Sequence, residues 1–198
     1  MISNKHKCFF IHIPKTGGSS VGCTMGIKNS VANILNHKDD HLTVVEAMKY
    51  FPKEWNEYFK WTIVRNPWDR FVSMYHFRKK KNYSEFIQNK ELKFDKWLKI
   101  ILIDRAYENQ ISQSSLIKIE NKIAVDFVAR YENLRRDFKY ISKTIGFSGK
   151  LIHVNKTNHY HYSCYYDKYS VDLVYDICKE DISTFNYKFR DNKFFSFL

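Results

Sequence analysis

The run His12-Ile13-Pro14-Lys15-Thr16-Gly17-Gly18-Ser19-Ser20 gathers the residue types that hold an anion. An apolar, strand-like segment ends at Ile13, the chain turns through two glycines, and a helix begins. The first N–H groups of a helix have no partners inside it and carry the positive end of its dipole, which suits them to phosphate oxygens. Gly17 and Gly18 remove side chains that would hold an anion away. Lys15 adds a full charge, and Thr16, Ser19 and Ser20 add hydroxyl donors. A tight turn with a merely solvated lysine has no need of so many donors in one place. The order is not that of the nucleoside-triphosphatase loop, in which lysine follows the last glycine and a Ser or Thr then holds magnesium. Here Lys15 precedes Gly17.

A second cationic position follows in Trp61-Thr62-Ile63-Val64-Arg65-Asn66-Pro67-Trp68-Asp69-Arg70-Phe71-Val72-Ser73. Arg65 falls at the carboxyl end of a predicted strand, where ligands bind in open α/β sheets. Its guanidinium fork suits a phosphate monoester. Ser73 lies about two turns into the next helix, off the stripe formed by Trp68, Phe71, Val72 and Tyr75. A surface ion pair for Arg65 and an ordinary helical serine for Ser73 are the competing readings.

The elements that must position these residues alternate between the two periods. Cys8 to Ile13 reads as a buried strand, followed by a helix to about Lys28 on which Gly18, Gly22 and Gly26 recur every fourth residue, letting it lie close to a sheet. Thr43-x-x-Glu46 is a capping box for a helix from Val44 to Tyr50. Phe59 to Arg65 is a second strand, and Asn66-Pro67 opens the next helix with Pro at its first position. Helices are expected over Ser84 to Gln88, Lys90 to Ile103, Asn133 to Ile145 (ending at Gly146) and Ser170 to Thr184. A small hairpin is expected across Glu120-Asn121, and a further strand over Val125 to Tyr131. Strands alternating with helices imply a parallel sheet covered on both faces. With no repeat, low-complexity tract or linker, residues 1–198 are expected to form a single domain.

The formal charge is +12, from 33 Lys and Arg against 21 Asp and Glu, so anionic partners are favoured without a choice among nucleotide, nucleic acid, glycan or membrane surface. The apolar runs are too short to span a bilayer, and the opening residues lack a signal-peptide pattern, so a cytoplasmic product without stable membrane insertion is expected. Cys8, Cys23, Cys164 and Cys178 have no metal-ligand spacing and read as reduced thiols.

Pro14 to Ser20 resembles the 5′-phosphosulfate-binding loop of sulfotransferases that use 3′-phosphoadenosine 5′-phosphosulfate (PAPS), and Trp61 to Ser73 resembles their 3′-phosphate-binding segment. The similarity is greatest to the carbohydrate branch, with its heparan 2-O- and chondroitin-type enzymes and bacterial relatives. Arg130-Tyr131-Glu132-Asn133-Leu134, with Asp137-Phe138, resembles the family's strand–turn–helix near the donor. Asn155-Lys156-Thr157 and Tyr165-Tyr166 resemble its late closing loop. The stems and disulfides of long secreted members are missing, which suggests a minimal prokaryotic or viral form.

The resemblance implies a P-loop-like three-layer α/β/α fold with a central parallel sheet. It implies PAPS as donor, adenosine 3′,5′-bisphosphate (PAP) as product and no metal. Lys15 is then the cation at the leaving oxygen, and Thr16, Gly17, Gly18, Ser19 and Ser20 hold the 5′-phosphate. Arg65 and Ser73 take the 3′-phosphate, and Lys156 and Thr157 touch the nucleotide or belong to a solvated loop. The acceptor is a hydroxyl, on a carbohydrate such as an anionic glycan, and nucleic acid is not the expected partner.

The acceptor hydroxyl needs a base with a pKa near neutrality. His41, just before the capped helix, is the leading candidate, with His37 and Glu46 as competitors. His12 reads as a buried, hydrogen-bonded histidine. His153, His159 and His161 read as part of a polar and aromatic loop rather than a metal site. Arg78-Lys79-Lys80-Lys81 either guides an anionic acceptor or serves the helix C-terminus. Two rivals stand beside the transferase. A P-loop kinase would need lysine after the glycines and an acidic magnesium ligand. A non-catalytic module binding RNA or another polyanion would leave the Lys15 and Arg65 motifs unexplained as a pair.

Overall fold

The computed structural model describes residues 1–35, 41–103, 112–154 and 159–191. Two compact units emerge, one drawn from Met1–Arg65 and Gln113–Asn155, the other from Asn66–Ser112 and Lys156–Leu198.

The first unit is α/β, built on a four-stranded sheet: β1 (Ile2–Ser3), β2 (Cys8–Ile11), β3 (Phe59–Val64) and β6 (Phe127–Arg130), in that spatial order. β2 and β3 are parallel, with Cys8 opposite Phe59 and Ile11 opposite Thr62. β3 and β6 are also parallel, with Trp61 opposite Phe127 and Val64 opposite Arg130. β1 adds an antiparallel edge that the sequence reading did not anticipate.

Alternation along β2 sends neighbouring side chains to opposite faces. Cys8 and Phe10 join Trp61, Ile63 and Ala129 against Val21 and Met25 of α1 (Gly18–Met25) and Phe138 and Ile141 of α8 (Leu134–Thr144). Phe9 instead meets the rings of Phe51, Trp55 and Tyr58, around α4 (Pro52–Glu57). The parallel strands are thus covered on both faces, and the expected three layers are present in this unit. The unit also contains α2 (Ser30–Leu35), α3 (Val44–Tyr50) and a hairpin of β4 (Lys118–Ile119) and β5 (Lys122–Ile123). Glu120 and Asn121 at the hairpin turn both have positive φ, as a tight two-residue loop requires.

The second unit is helical: α5 (Pro67–Lys80), α6 (Ser84–Gln88), α7 (Phe94–Ile103), α9 (Lys168–Ile177) and α10 (Lys179–Phe185). Asn66 caps α5 by accepting from the N–H groups of Trp68 and Asp69. The stripe of Trp68, Phe71, Val72 and Tyr75 lies in a core with Trp97, Leu98 and Val174. The single helix expected over Ser170 to Thr184 is two. The chain leaves helical geometry at buried Cys178, and Glu180 and Asp181 occupy the first turn of a new helix, where its free N–H groups favour acids.

Arg78, at the end of α5, does not belong to a free basic tail. Its guanidinium pairs with the Glu85 carboxylate (Nη2 to Oε2, 3.0 Å) and lies over the Tyr83 ring, whereas Lys79, Lys80 and Lys81 are exposed. None of the four cysteines, all of them described residues, is bridged by a disulfide, and burial pushes the thiols of Cys8 and Cys178 up to about 11 and about 12, so both stay protonated. Among the described residues no helix is long and apolar enough to cross a membrane.

Candidate active site

Parallel pairing brings the carboxyl ends of β2 and β3 to one edge of the sheet, and the diglycine turn and Arg65 leave it there. β2 is shorter than expected because its pairing ends at Ile11, and His12 and Ile13 already belong to the turn. Thr16 closes that turn by donating its hydroxyl to the Ile13 carbonyl at 2.8 Å. The side chain is fully buried. Its hydroxyl thus serves the loop itself in this structure.

Lys15 (φ 67) and Gly17 (φ 93) are both left-handed. At Gly17 a side chain would be strained by backbone conformation and crowded as well, with Leu134 and Tyr131 3.2–3.3 Å from its Cβ. Gly18 opens α1, and its missing side chain makes room for the His12 ring. Gly22 likewise accommodates Met1, whereas Gly26 has open space and serves as the left-handed end of the helix. Ser19 is half-buried, and Ser20 Oγ accepts from the N–H of Val154 at 3.1 Å.

Two cations separated in sequence meet at this edge. Arg65 is buried, and its Nη1 donates to the carbonyl of Lys15 at 3.1 Å. Its guanidinium carbon lies 4.0 Å from the centre of the Tyr131 ring. Its backbone N–H and C=O are both bound by the Gln113 side chain. Burial, and then the positive charge of Arg65, lower the Lys15 pKa to about 7. Partly desolvated like charges raise each other's cost, which an anion entering the turn would remove.

His41 stands nearby, its Nδ1 2.8 Å from the carbonyl oxygen of His12. A carbonyl only accepts, so Nδ1 is the donor, and in the neutral ring Nε2 is then the nitrogen with the lone pair. That is the tautomer a general base needs. The two imidazole centroids are 4.2 Å apart. Burial, followed by the charges of His41, the chain's amino group and Lys15, holds His12 neutral, well below the ordinary histidine range. His12 is buried as the sequence implied, but its Nδ1 has no hydrogen-bond partner among the described residues. Glu46, a rival base, accepts from Thr43 N–H (2.8 Å) and Thr43 Oγ1 (2.9 Å), completing the capping box.

A cavity of about 480 Å³ adjoins the turn. Gly17, Ser20, Tyr131, Leu134, Ile152 and His153 are among its walls. The other late histidines have separate employment: His159 stacks on His76, and His161 caps a short turn at Ser163. Ser73 is buried along α5 in the second unit. His37, Lys156 and Thr157 lie outside the described residues. The sequence reading did not single out Gln113 and gave Tyr131 no individual role. Tyr131 stood inside a motif already quoted, whereas Gln113 lies in a polar stretch with no periodic signal.

Residues 1–188 match the sulfotransferase family, a span that runs through both units. No curated protein matches the chain. Among solved structures it is similar to the mouse sulfotransferase SULT7A1 complexed with PAP. That similarity has 14% identity and a TM-score of 0.35, covering 93% of this chain and 68% of that one.

Proposed function

Because the chain belongs to the sulfotransferase family, we propose that it transfers the sulfuryl group of PAPS to a hydroxyl of a carbohydrate acceptor, acting as one catalytic domain. The observation that carries this reading is the convergence of Lys15 and Arg65 on the edge where β2 and β3 end. Two cations there, one of them lowered in pKa by burial and then by the other, fit a donor with phosphate groups at two positions.

PAPS supplies a sulfur already joined to a phosphate leaving group, so transfer to a hydroxyl is an in-line displacement with charge growing on the departing oxygen. Lys15 is assigned to neutralise that charge, which lowers the barrier because the cation is already in place. The backbone N–H groups from Gly17 to Ser20 bind the 5′-phosphate, and Ser19 can add its hydroxyl. Arg65 takes the 3′-phosphate, and Ser73 keeps the same assignment from its motif. The cavity beside Tyr131 and Leu134 has the mixed apolar and polar walls that suit an adenosine.

His41 Nε2 takes the proton of the acceptor hydroxyl. Glu46 is less suited because its carboxylate completes a helix cap. Carbohydrate as acceptor, anionic glycan in particular, is supported by the net charge of +12 and by exposed Lys79, Lys80 and Lys81.

The test is incubation of the protein with ³⁵S-labelled PAPS and a panel of glycosaminoglycans, simple sugars and phenols. Label on a sugar hydroxyl, abolished by Lys15→Ala in folded protein, is the expected result. Label on phenols alone overturns the acceptor assignment. Full activity of Lys15→Ala removes Lys15 from the mechanism.

A further inference from the structure

We propose that Gln113 is a positioning residue that sets Arg65 for the donor's 3′-phosphate; this rests on the assignment of Arg65 to that phosphate. Pairing of β3 with β2 ends at Thr62, and pairing with β6 ends at Val64. Arg65 is the next residue and is buried, so its backbone N–H and C=O need partners that no strand supplies in that register.

In extended chain the two groups of one residue point to the same side, and a single primary amide can serve both. Gln113 does so. Its Oε1 accepts from Arg65 N–H at 2.9 Å, and its Nε2 donates to Arg65 C=O at 2.8 Å. Gln113 is fully buried, so water cannot readily replace these bonds.

The clip acts where orientation matters. The Arg65 guanidinium backs onto Tyr131 and donates Nη1 to the Lys15 carbonyl. With one face and one donor fixed, the direction of the remaining fork depends on where the backbone starts. The chemistry also restricts the residue type: glutamate offers only acceptors, leucine offers neither partner, and asparagine is one methylene too short to span both bonds.

The segment bearing Gln113 is itself tied down. The Leu116 carbonyl accepts from Val44 N–H at 2.9 Å, at the start of α3 and three residues after His41. Ser114 beside Gln113 is also fully buried. One short polar segment therefore braces the arginine and the start of the helix that follows the proposed base.

Calorimetric titration of PAP and of 5′-AMP, which lacks the 3′-phosphate, tests this on wild type, Arg65→Ala, Gln113→Leu and Gln113→Asn, with thermal unfolding of each. Wild type should prefer PAP, and Arg65→Ala should erase the preference. Gln113→Leu should weaken PAP by about tenfold while 5′-AMP stays within about twofold, and Gln113→Asn should fall between. A purely structural residue would lower the melting temperature and weaken both nucleotides alike. Equal weakening of both, or unchanged PAP affinity, overturns the role of Gln113 and leaves that of Arg65 standing. An unchanged preference in Arg65→Ala overturns the Arg65 assignment and the Gln113 proposal together. If Gln113→Leu does not fold, Gln113→Asn decides by the same ratio.

Discussion

Replacing Gly18 by alanine puts a methyl group where the His12 ring already lies. The new Cβ would fall 1.9 Å from His12 Cδ2, 2.2 Å from Nε2 and 2.8 Å from Cγ, whereas ordinary contact begins near 3.4 Å. The ring would have to retreat by about 1.5 Å, yet Phe10 stacks on it at 5.7 Å and His41 stands at 4.2 Å between centroids. Overpacking of this kind costs about 1–3 kcal/mol. The better helix propensity of alanine offsets at most about 1 kcal/mol. A separation of 1.9 Å puts this clash in the upper half of that range, about 2–3 kcal/mol, so the net loss is roughly 1–2 kcal/mol, a melting temperature lower by about 2–8 °C in a chain of this size. The damage falls on the first residue of α1, so PAP affinity should drop along with stability. Calorimetry and thermal unfolding measure both, and the double variant Gly18→Ala/His12→Ala supplies the control. Removing the ring should make the alanine tolerable, giving a coupling of about 1 kcal/mol or more in the cycle. Wild-type melting and affinity in Gly18→Ala, or strictly additive effects in the double variant, would refute the close-approach argument.

Burial, and then the charge of Arg65, bring the Lys15 pKa down to about 7, and the role proposed for Lys15 at the leaving oxygen needs its protonated form, so kcat/KM for PAPS should fall as pH rises through about 7. The falling limb should move to higher pH in Lys15→Arg; an unmoved limb assigns the titration to another group. Thr43→Ala removes a helix cap and should cost about 1 kcal/mol, seen by denaturant unfolding, with lower kcat because the base proposed above, His41, lies two residues upstream. In the second unit, burial alone would raise the Glu85 pKa, but hydrogen bonds from Arg78 and Trp97 outweigh it and hold the carboxyl low. The stability contributed by Glu85 is therefore present above the ordinary carboxylate range and lost as pH falls below it. Glu85→Gln should cost roughly 3 kcal/mol and flatten that acid dependence in chemical denaturation.

Local signals carried most of the fold. Thr43 with Glu46, Asn66 with Pro67, and Glu120 with Asn121 each fix an element end through neighbours in sequence, and each marks such an end in the structure. Helices α2 and α4, at six residues each, are too short for hydrophobic periodicity to declare them. The break at Cys178 lay inside a continuous helical pattern. At the site, Lys15, Arg65 and His41 stood out by charge and placement. Gln113 did not, because an amide acquires its role only from the backbone that tertiary structure brings to it. The bond from Thr16 to the Ile13 carbonyl was not legible for a related reason: the same hydroxyl suits an anion or a nearby carbonyl, and only the turn's geometry brings the carbonyl within reach.

Lys15 is held in a left-handed backbone conformation that glycine would adopt without penalty. Substitution by glycine should relieve roughly 1 kcal/mol of strain and remove a half-buried ammonium, giving a more robust protein that, on the role proposed for Lys15, transfers nothing. Selection for thermal resilience alone would thus drift away from the native lysine, and only selection for turnover would retain it.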